Sequence, residues 1–255
     1  MGIIPSRTQS SVAIGDGQNA WFLVNASPDL RSQIESFKAL HPRVKPIRNT
    51  PLAAIFLTNP DLDHVLGIFS LREGGSLTIY ATSTVRRAVA RRLGIDKVLR
   101  TFGGVTWREP SINRFTPLSS TSLSYRAIAS SRDSVAYQFS DKRTGGRLLV
   151  APDVAAISED LQEAVNEADA VLFDGTFWSP RELAQVKPGA RSAEKMGHLP
   201  IHDLSLDLLA KAPARHKAYI HINNTNPILA RRSPERTAVE TAGIVVGYDG
   251  YCFEV

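Results

Sequence analysis

Carboxylate and imidazole side chains come directly after one apolar segment of this sequence. The run LAAIFLT (52–58) passes into NPDLDH, which brings together Asn59, Asp61, Asp63 and His64. A carboxylate next to an imidazole serves either a divalent metal or an acid–base pair. The alternative is structural, because an aspartate at this point is also typical of a helix N-cap. For this segment alone, both interpretations stay open.

Three further apolar segments end in the same residue types. LLVAPD ends at Asp153, AVLFD ends at Asp174, and KAYIHIN is predicted to be a strand that contains His221. Ligands collect at the carboxyl ends of strands in open α/β sheets. Carboxylates and histidines that converge there predict a metal site. The alternative for His221 is a histidine satisfied within the core.

His198, in the loop segment MGHLP, is predicted to be a catalytic acid–base group. An imidazole with a pKa of about 6.5 suits proton transfer near neutral pH. Asp174 would orient this imidazole through its second nitrogen, or would simply cap the turn at Gly175. The alternative for His198 is an exposed loop residue without a role.

The elements that position these residues change in character along the chain. A hairpin turning at Gly15–Gly17 opens the sequence, a helix capped by Ser27 follows, and Thr84 is predicted to start a second helix. Later strands alternate with helices such as ISEDLQEAVNEA. This order predicts an α+β fold, an αββα sandwich, with residues 1–255 as a single domain. A doubly wound α/β fold is the competing interpretation, but no GxGxxG follows a first strand.

Composition excludes several classes of protein. The chain has 255 residues, 43% of them hydrophobic, and no apolar run reaches the roughly 18 residues of a membrane span. No secretory h-region is present, so we expect a cytoplasmic protein without a membrane partner. Cys252 is the one cysteine, which excludes a disulfide framework, and we expect it to be buried. The net charge of +5 is spread along the chain and predicts no nucleic-acid partner.

Several short runs, in order along almost the whole chain, resemble the coenzyme PQQ synthesis protein B (PqqB) family of the metallo-β-lactamase superfamily. These runs are RTQSS (7–11), NASPD (25–29), DLDH (61–64), LRE (71–73), FDGTFW (173–178), MGHLP (196–200), HINNTNPIL (221–229), SPER (233–236) and YDG (248–250). The resemblance implies the metallo-β-lactamase-like αββα fold, in agreement with the predicted order of elements.

The chain departs from the superfamily at one of its two metal sites. TNPDLDH resembles the H-x-H-x-D-H signature with Asn59 and Asp61 in place of the first two histidines. The segment AIASSRDSVAY, where a third histidine is expected, contains none. A dinuclear zinc site is therefore not expected. Asp61 is predicted either to contact the metal or to accept a hydrogen bond from a ligand histidine.

The resemblance leaves the second metal site intact and implies its ligands. These are Asp63, His64 and His221, with Asp153 at the position of the usual bridging aspartate. Two imidazoles and one carboxylate form the facial triad of non-haem Fe(II) oxygenases. One divalent metal is therefore expected, with Fe(II) favoured, although the same ligands also accommodate Zn(II).

The resemblance implies iron-dependent hydroxylation of a tyrosine-derived precursor of the Glu–Tyr type, on the route to pyrroloquinoline quinone (PQQ). The expected partner is thus a small, peptide-derived, carboxylate-rich substrate. A metal-dependent hydrolase, favoured by Asp153 and His198, and a non-catalytic carrier of PQQ or its precursor are the alternatives. The family's first strand and its cysteine cluster are not found in this sequence. An open sheet edge at that place would favour a homodimer.

Overall fold

The computed structural model describes residues 4–18, 20–45, 49–72 and 75–255. The chain divides into two compact units. Thr8–Ala127 form the N-terminal unit, and Ile128–Val255 together with Met1–Arg7 form the C-terminal unit. The single domain predicted over 1–255 stays a prediction. In the described parts of the chain, no helix has the length and apolar character needed to cross a bilayer.

The N-terminal unit is built on a five-stranded sheet. Its strands are β1 (Val12–Gly15), β2 (Trp21–Val24), β3 (Leu52–Phe56), β4 (Leu77–Tyr80) and β5 (Val105–Arg108). They lie side by side in that order, and only β1 and β2 are antiparallel. Its helices are α1 (Leu30–Ser36), α2 (Leu62–Val65), α3 (Ser83–Leu93) and α4 (Ile95–Leu99). Ile55 and Ile79 of the sheet share a buried core with Val85 and Val89, which recur at helical spacing on α3.

Two antiparallel strands follow β5 in the chain. The strand β6 (Thr116–Pro117) pairs with β7 (Leu123–Ala129), and the two are antiparallel. The boundary between the units falls within β7, after Ala127.

The C-terminal unit contains a second sheet. Consecutive strands lie side by side in it: β8 (Val135–Asp141), β9 (Arg147–Ala151), β10 (Ala170–Asp174), β11 (His216–Ile220) and β12 (Val245–Val246). The pair β8–β9 is antiparallel, and the pairs from β9 to β12 are parallel. Its helices are α5 (Glu159–Glu167), α6 (Glu182–Val186), α7 (Leu206–Lys211) and α8 (Pro234–Thr241). Leu161 of α5 and Val239 of α8 are fully buried with Val171 and Phe173 of β10.

Several local predictions are confirmed. The antiparallel hairpin of β1 and β2 forms as predicted. The helix predicted from ISEDLQEAVNEA is α5, and the hydroxyl of its N-cap, Ser158, accepts from the Leu161 amide. The segment VLGIFSLRE, which follows NPDLDH, is mostly helical: α2 starts at Leu62, and a 3₁₀ helix continues from it to Leu71. The end of that segment and of the run LRE, at Glu73, lies outside the described residues.

Three local predictions are wrong. Ser27 does not cap α1, because its hydroxyl donates to Gln33 and the helix begins at Leu30. The helix predicted from Thr84 begins one residue earlier, at Ser83. Cys252 is exposed rather than buried. The neighbouring Phe253 stacks on the ring of His216, with centroids 4.7 Å apart, and leaves the thiol at the surface.

Candidate metal centre

The parallel strands of the C-terminal unit bring three of the predicted residues to one edge of the sheet. Asp153 follows β9 by two residues, and Asp174 is the last residue of β10. His221 comes directly after β11. In register, Asp174 pairs with Ile220, the residue before His221. The three side chains therefore start from the carboxyl ends of adjacent strands, where ligands of such sheets bind.

His198 reaches this edge from a loop. A short 3₁₀ turn (Glu194–Met196) ends at Gly197, whose φ of 90° is a left-handed conformation that favours glycine. The turn directs the His198 ring to the two carboxylates. Its Nδ1 lies 2.8 Å from Oδ2 of Asp174 and 3.4 Å from Oδ1 of Asp153. The contact between His198 and Asp174 is therefore present, whereas the catalytic role predicted for them stays a prediction.

Asp174 is completely buried, and both of its oxygens are occupied by donors. Oδ1 accepts from the backbone amide and the hydroxyl of Thr176, at 3.0 and 2.6 Å. Oδ2 accepts from the Val154 amide at 3.0 Å and from His198. Asp174, His198 and His221 have ligand atoms within 4.8 Å of one another, as a metal site requires. Because its oxygens are already saturated, Asp174 is better suited to orient the histidines than to bind a metal itself.

Charge keeps Asp174 ionised. Burial alone would raise the pKa of its carboxyl, but hydrogen bonds and positive charge from His198 and His221 outweigh burial and hold that pKa well below its usual range. The same pairing acts on the imidazole. Burial lowers the pKa of His198, yet the hydrogen bond to Asp174 and the charges of Asp174 and Asp153 together raise it. The pair is thus an ion pair whenever His198 is protonated.

Thr176 connects Asp174 to His221. The threonine hydroxyl has one proton, which it donates to the Asp174 carboxylate, so that its oxygen accepts from Nδ1 of His221 at 2.8 Å. This hydrogen bond orients the His221 ring through Nδ1. Asp174 consequently orients two imidazoles, His198 directly and His221 through Thr176.

His221 lies outside the strand, which corrects the prediction that KAYIHIN is a strand containing it. The strand β11 ends at Ile220, and His221 has a φ of 56°, which is uncommon for a residue with a side chain. The Thr176 hydroxyl also lies 2.9 Å from the His221 carbonyl oxygen. The conformation turns the ring out of the strand and towards His198, with the ring centroids 5.5 Å apart. A histidine satisfied within the core, the alternative interpretation, is excluded by this placement.

The N-terminal unit contains the other predicted residues. His64 is buried in α2, and its Nδ1 lies 3.1 Å from the Asn25 amide nitrogen and 3.2 Å from the Thr58 hydroxyl. Its Nε2 lies 3.5 Å from Oδ2 of Asp63. The Asn25 amide nitrogen can only donate, so Nδ1 of His64 accepts from it, and Nε2 lies on the side of Asp63.

Asn59 and Asp61 have local structural positions. The Asn59 side chain is buried, and its Oδ1 accepts from the Asp61 amide at 3.0 Å, which is a turn contact. Asp61 is exposed at the N-cap position of α2 without a capping bond from its side chain. Asp61 therefore occupies the N-cap position, as the helix-cap alternative requires, but its carboxylate makes no capping hydrogen bond.

Sequence reasoning missed the partners that hold the site. Thr176 orients His221, and the Ser134 hydroxyl donates to Oδ2 of Asp153. In the N-terminal unit, Asn25 and Thr58 occupy Nδ1 of His64. Thr176 and Asn25 belong to the runs FDGTFW and NASPD, so the family resemblance was the one signal that pointed to them. Nothing in the sequence indicated Ser134.

Comparisons with known proteins show the family of this chain. A family model described as a beta-lactamase superfamily domain matches residues 20–222. Coenzyme PQQ synthesis protein B of Pseudomonas fluorescens (strain Pf0-1) is 36% identical over 265 residues, which cover 96% of this chain and 87% of that protein. The same protein of Pseudomonas savastanoi pv. phaseolicola is 34% identical over 269 residues, 98% of this chain and 88% of the relative. The chain belongs to the coenzyme PQQ synthesis protein B family. The resemblance found in the sequence is confirmed.

Solved structures show the fold. The crystal structure of Zn²⁺-bound PqqB from Methylobacterium extorquens superposes with a TM-score of 0.86 at 33% identity, over 99% of this chain and 88% of that one. Human tRNase Z, short form, has a TM-score of 0.65 at 13% identity, over 98% of this chain and 94% of the other. The predicted metallo-β-lactamase fold is thereby confirmed for this PqqB-family chain.

Proposed function

We propose that this chain is a metal-dependent enzyme of PQQ synthesis that hydroxylates a tyrosine-derived, carboxylate-rich precursor. One observation supports metal binding most directly. His198 and His221 each have Nδ1 in a hydrogen bond with a partner within their own unit, which orients both rings. Metal-binding histidines in proteins are oriented in this way by carboxylate, carbonyl or hydroxyl partners. Zinc in the M. extorquens relative agrees with the proposal.

The ligands that we propose are those implied by the family resemblance: Asp63, His64 and His221. Asp153 is a further candidate ligand. Two imidazoles and one carboxylate suit Fe(II), which when bound this way supplies dioxygen chemistry with open coordination positions. Zn(II) accepts the same donors. The structure therefore fits a divalent metal in general, and the choice of iron rests on the reaction that we propose.

His198 is the group that we propose to take the proton of the phenol. Its Nδ1–H is held by the Asp174 carboxylate, so the proton is accepted at Nε2. The resulting imidazolium is stabilised by the buried Asp174 charge at 2.8 Å. Phe177 packs edge-on against the same ring, with centroids 5.8 Å apart, and keeps it in place.

A metal-dependent hydrolase is the second candidate function. It is favoured by Asp153, which is retained 3.4 Å from His198, and by the zinc of the M. extorquens relative. A carrier of PQQ or its precursor would use the same fold without turnover. The three functions differ in their need for metal and dioxygen.

Anaerobic reconstitution separates them. The protein is loaded with Fe(II) or Zn(II), mixed with a Glu–Tyr type diamino acid and ascorbate as the two-electron reductant, and exposed to dioxygen. One oxygen atom then enters the product and the other leaves as water, and the products are analysed by mass spectrometry. We expect the addition of oxygen with Fe(II) and dioxygen only. Hydrolysis with Zn(II), independent of dioxygen, would identify the hydrolase instead. Binding without turnover under either condition would identify the carrier.

Metal content tests the ligands separately. His64→Ala and His221→Ala should each lower metal affinity at least 10–100-fold, the range for the loss of such contacts. The matched control is His202→Ala, because the His202 side chain is exposed and away from the site. Equal metal content in all three variants would contradict the proposed ligands.

A further inference from the structure

A cavity of about 350 Å³ in the C-terminal unit is lined by residues from three of the sequence runs that the metal centre does not use. Arg7 comes from RTQSS, Arg236 from SPER, and Tyr248 with Asp249 from YDG. Arg231 completes the charged lining. Residues far apart in the chain thus meet around one opening. Its volume is within the range of small-molecule sites in proteins.

The cavity has an excess of positive charge. Three guanidinium groups line it, and Asp249 is the one carboxylate among the described residues of the lining. Arg231 is exposed and makes no hydrogen bond or ion pair with any described residue. Its donors all remain open to a ligand.

The other two arginines are anchored from one side. Nε of Arg7 donates to the Gly247 carbonyl at 3.0 Å. Nε of Arg236 donates to Glu240 at 2.7 Å, and its Nη1 lies 3.4 Å from the Ile228 carbonyl. These bonds restrain each guanidinium while other N–H groups stay available. Burial and the charge of Arg236 lower the pKa of Arg7, and the charge of Asp249 raises it.

We propose that this cavity binds a small molecule with two or more carboxylate groups. Planar guanidinium groups bind carboxylates through paired hydrogen bonds, and such charge-assisted pairs are stronger than neutral ones. An anion between Arg7 and Arg236 would also relieve their repulsion. The half-exposed ring of Tyr248 adds an apolar wall for the body of the ligand. A single phosphate would leave much of the volume unfilled.

The cavity adjoins β12, the strand that pairs with β11 in the C-terminal unit. Val246, which lines the cavity, is the last residue of β12 and pairs with Tyr219 of β11. His221 follows Tyr219 by two residues. The proposal goes beyond the metal chemistry, because the cavity would bind carboxylates whether the chain hydroxylates, hydrolyses or only carries its ligand.

Calorimetric titration of the zinc-loaded protein with benzene-1,3,5-tricarboxylate tests the proposal. Arg231→Gln should weaken binding about tenfold, the loss expected for one hydrogen-bonded charge. Because Arg231 is exposed and without partners, this variant should fold normally. The matched control is Arg232→Gln, which removes the same charge from the adjacent, exposed residue outside the cavity lining and should leave binding unchanged. Asp249→Asn should strengthen binding severalfold, since a competing carboxylate is removed.

Three results would overturn the proposal. The first is the absence of tricarboxylate binding to the unchanged protein. The second is an equal loss in Arg231→Gln and Arg232→Gln, which would mean that only the net charge matters. The third is inorganic phosphate binding as tightly as the tricarboxylate, which would mean a general oxyanion site. None of these results bears on metal content or turnover, so the proposed function is tested independently.

Discussion

At the scale of single residues, Asp174 decides how two imidazoles are presented. It holds Nδ1 of His198 directly and Nδ1 of His221 through the Thr176 hydroxyl. Both rings are therefore held in place through Nδ1. A carboxylate with this function is as important for a metal site as a ligand, because it sets both the orientation and the basicity of the rings.

Replacement of Thr176 tests the connection to His221. Thr176→Val keeps the shape of the side chain and removes the hydroxyl, so we expect metal affinity to fall about 10–100-fold. Thr176→Ser keeps the hydroxyl and should retain most of the affinity. Competition with a fluorescent chelator measures both variants. Equal affinities of the Val and Ser variants would show that the hydroxyl does not orient a ligand.

Replacement of His198 tests its role as a base. His198→Ala should lower turnover by roughly 10²–10⁴-fold, the range for loss of general acid–base catalysis, with metal content unchanged. Turnover and bound metal are measured on the same preparation. Unchanged turnover would contradict the proposed role. Loss of metal together with activity would make His198 a ligand instead.

The pKa shifts of this pair predict how pH affects the metal-free protein. The pKa of Asp174 is lowered, so its contribution to the free energy of unfolding is present above about pH 4 and is lost as pH falls through the lowered value. The pKa of His198 is raised, so its contribution is present below about pH 6.5 and is lost as pH rises through the raised value. Chemical unfolding of the wild type and His198→Gln should therefore differ most between these limits. A difference that grows above pH 6.5 would contradict the assignment.

At the scale of elements, the carboxyl end of β10 must lie tightly against β11. Gly175, directly after β10, has no room for a side chain, because an added Cβ would lie 2.8 Å from the Tyr219 Cβ and 3.0 Å from the Ile220 carbonyl oxygen. This close packing keeps Asp174 and His221 within reach of Thr176. Ser158, by contrast, caps the amino end of α5, the helix that precedes β10.

Gly175→Ala should therefore lower both stability and metal affinity. Overpacking of this kind costs about 1–3 kcal/mol, and the shift it forces would separate the two strand ends. Ser158→Ala is the matched control, since loss of an N-cap costs about 1 kcal/mol without moving the site. Thermal unfolding and metal titration of both variants measure the two effects. A Gly175→Ala variant with normal metal affinity would show that the strand ends tolerate displacement.

At the scale of the whole molecule, metal binding should stabilise the fold. At a free metal concentration 100 times the Kd, linkage predicts a gain of about 2.7 kcal/mol. For a chain of this length, that gain corresponds to a rise in Tm of roughly 5–10 °C. Calorimetry with Fe(II) under argon, with Zn(II) and with a chelator measures the difference. A Tm that no metal changes would contradict the proposed metal centre.

The sequence by itself determined the identities of most strands and the positions of the reactive residues along them. Apolar runs are local signals, and a polar residue after such a run marks a strand end wherever the strand is placed. Asp153 and Asp174 were located in this way, and the order of short runs identified the family. Where competing local signals were close together, as at Ser27 and at Thr84, the prediction failed by one to three residues.

Only the tertiary structure decided which side chains meet. Thr176 contacts His221 across 45 positions of sequence, and Ser134 contacts Asp153 across 19. The turn of His221 out of β11, with its positive φ, likewise depends on Thr176 and on the neighbouring strand. Arg7 joins Arg231 and Arg236 because its strand-like segment lies along Gly247. Hydrogen bonds and charges of this kind act between residues that are distant in the chain, so no local pattern of residue types encodes them, and the register of the parallel strands determines which of them form.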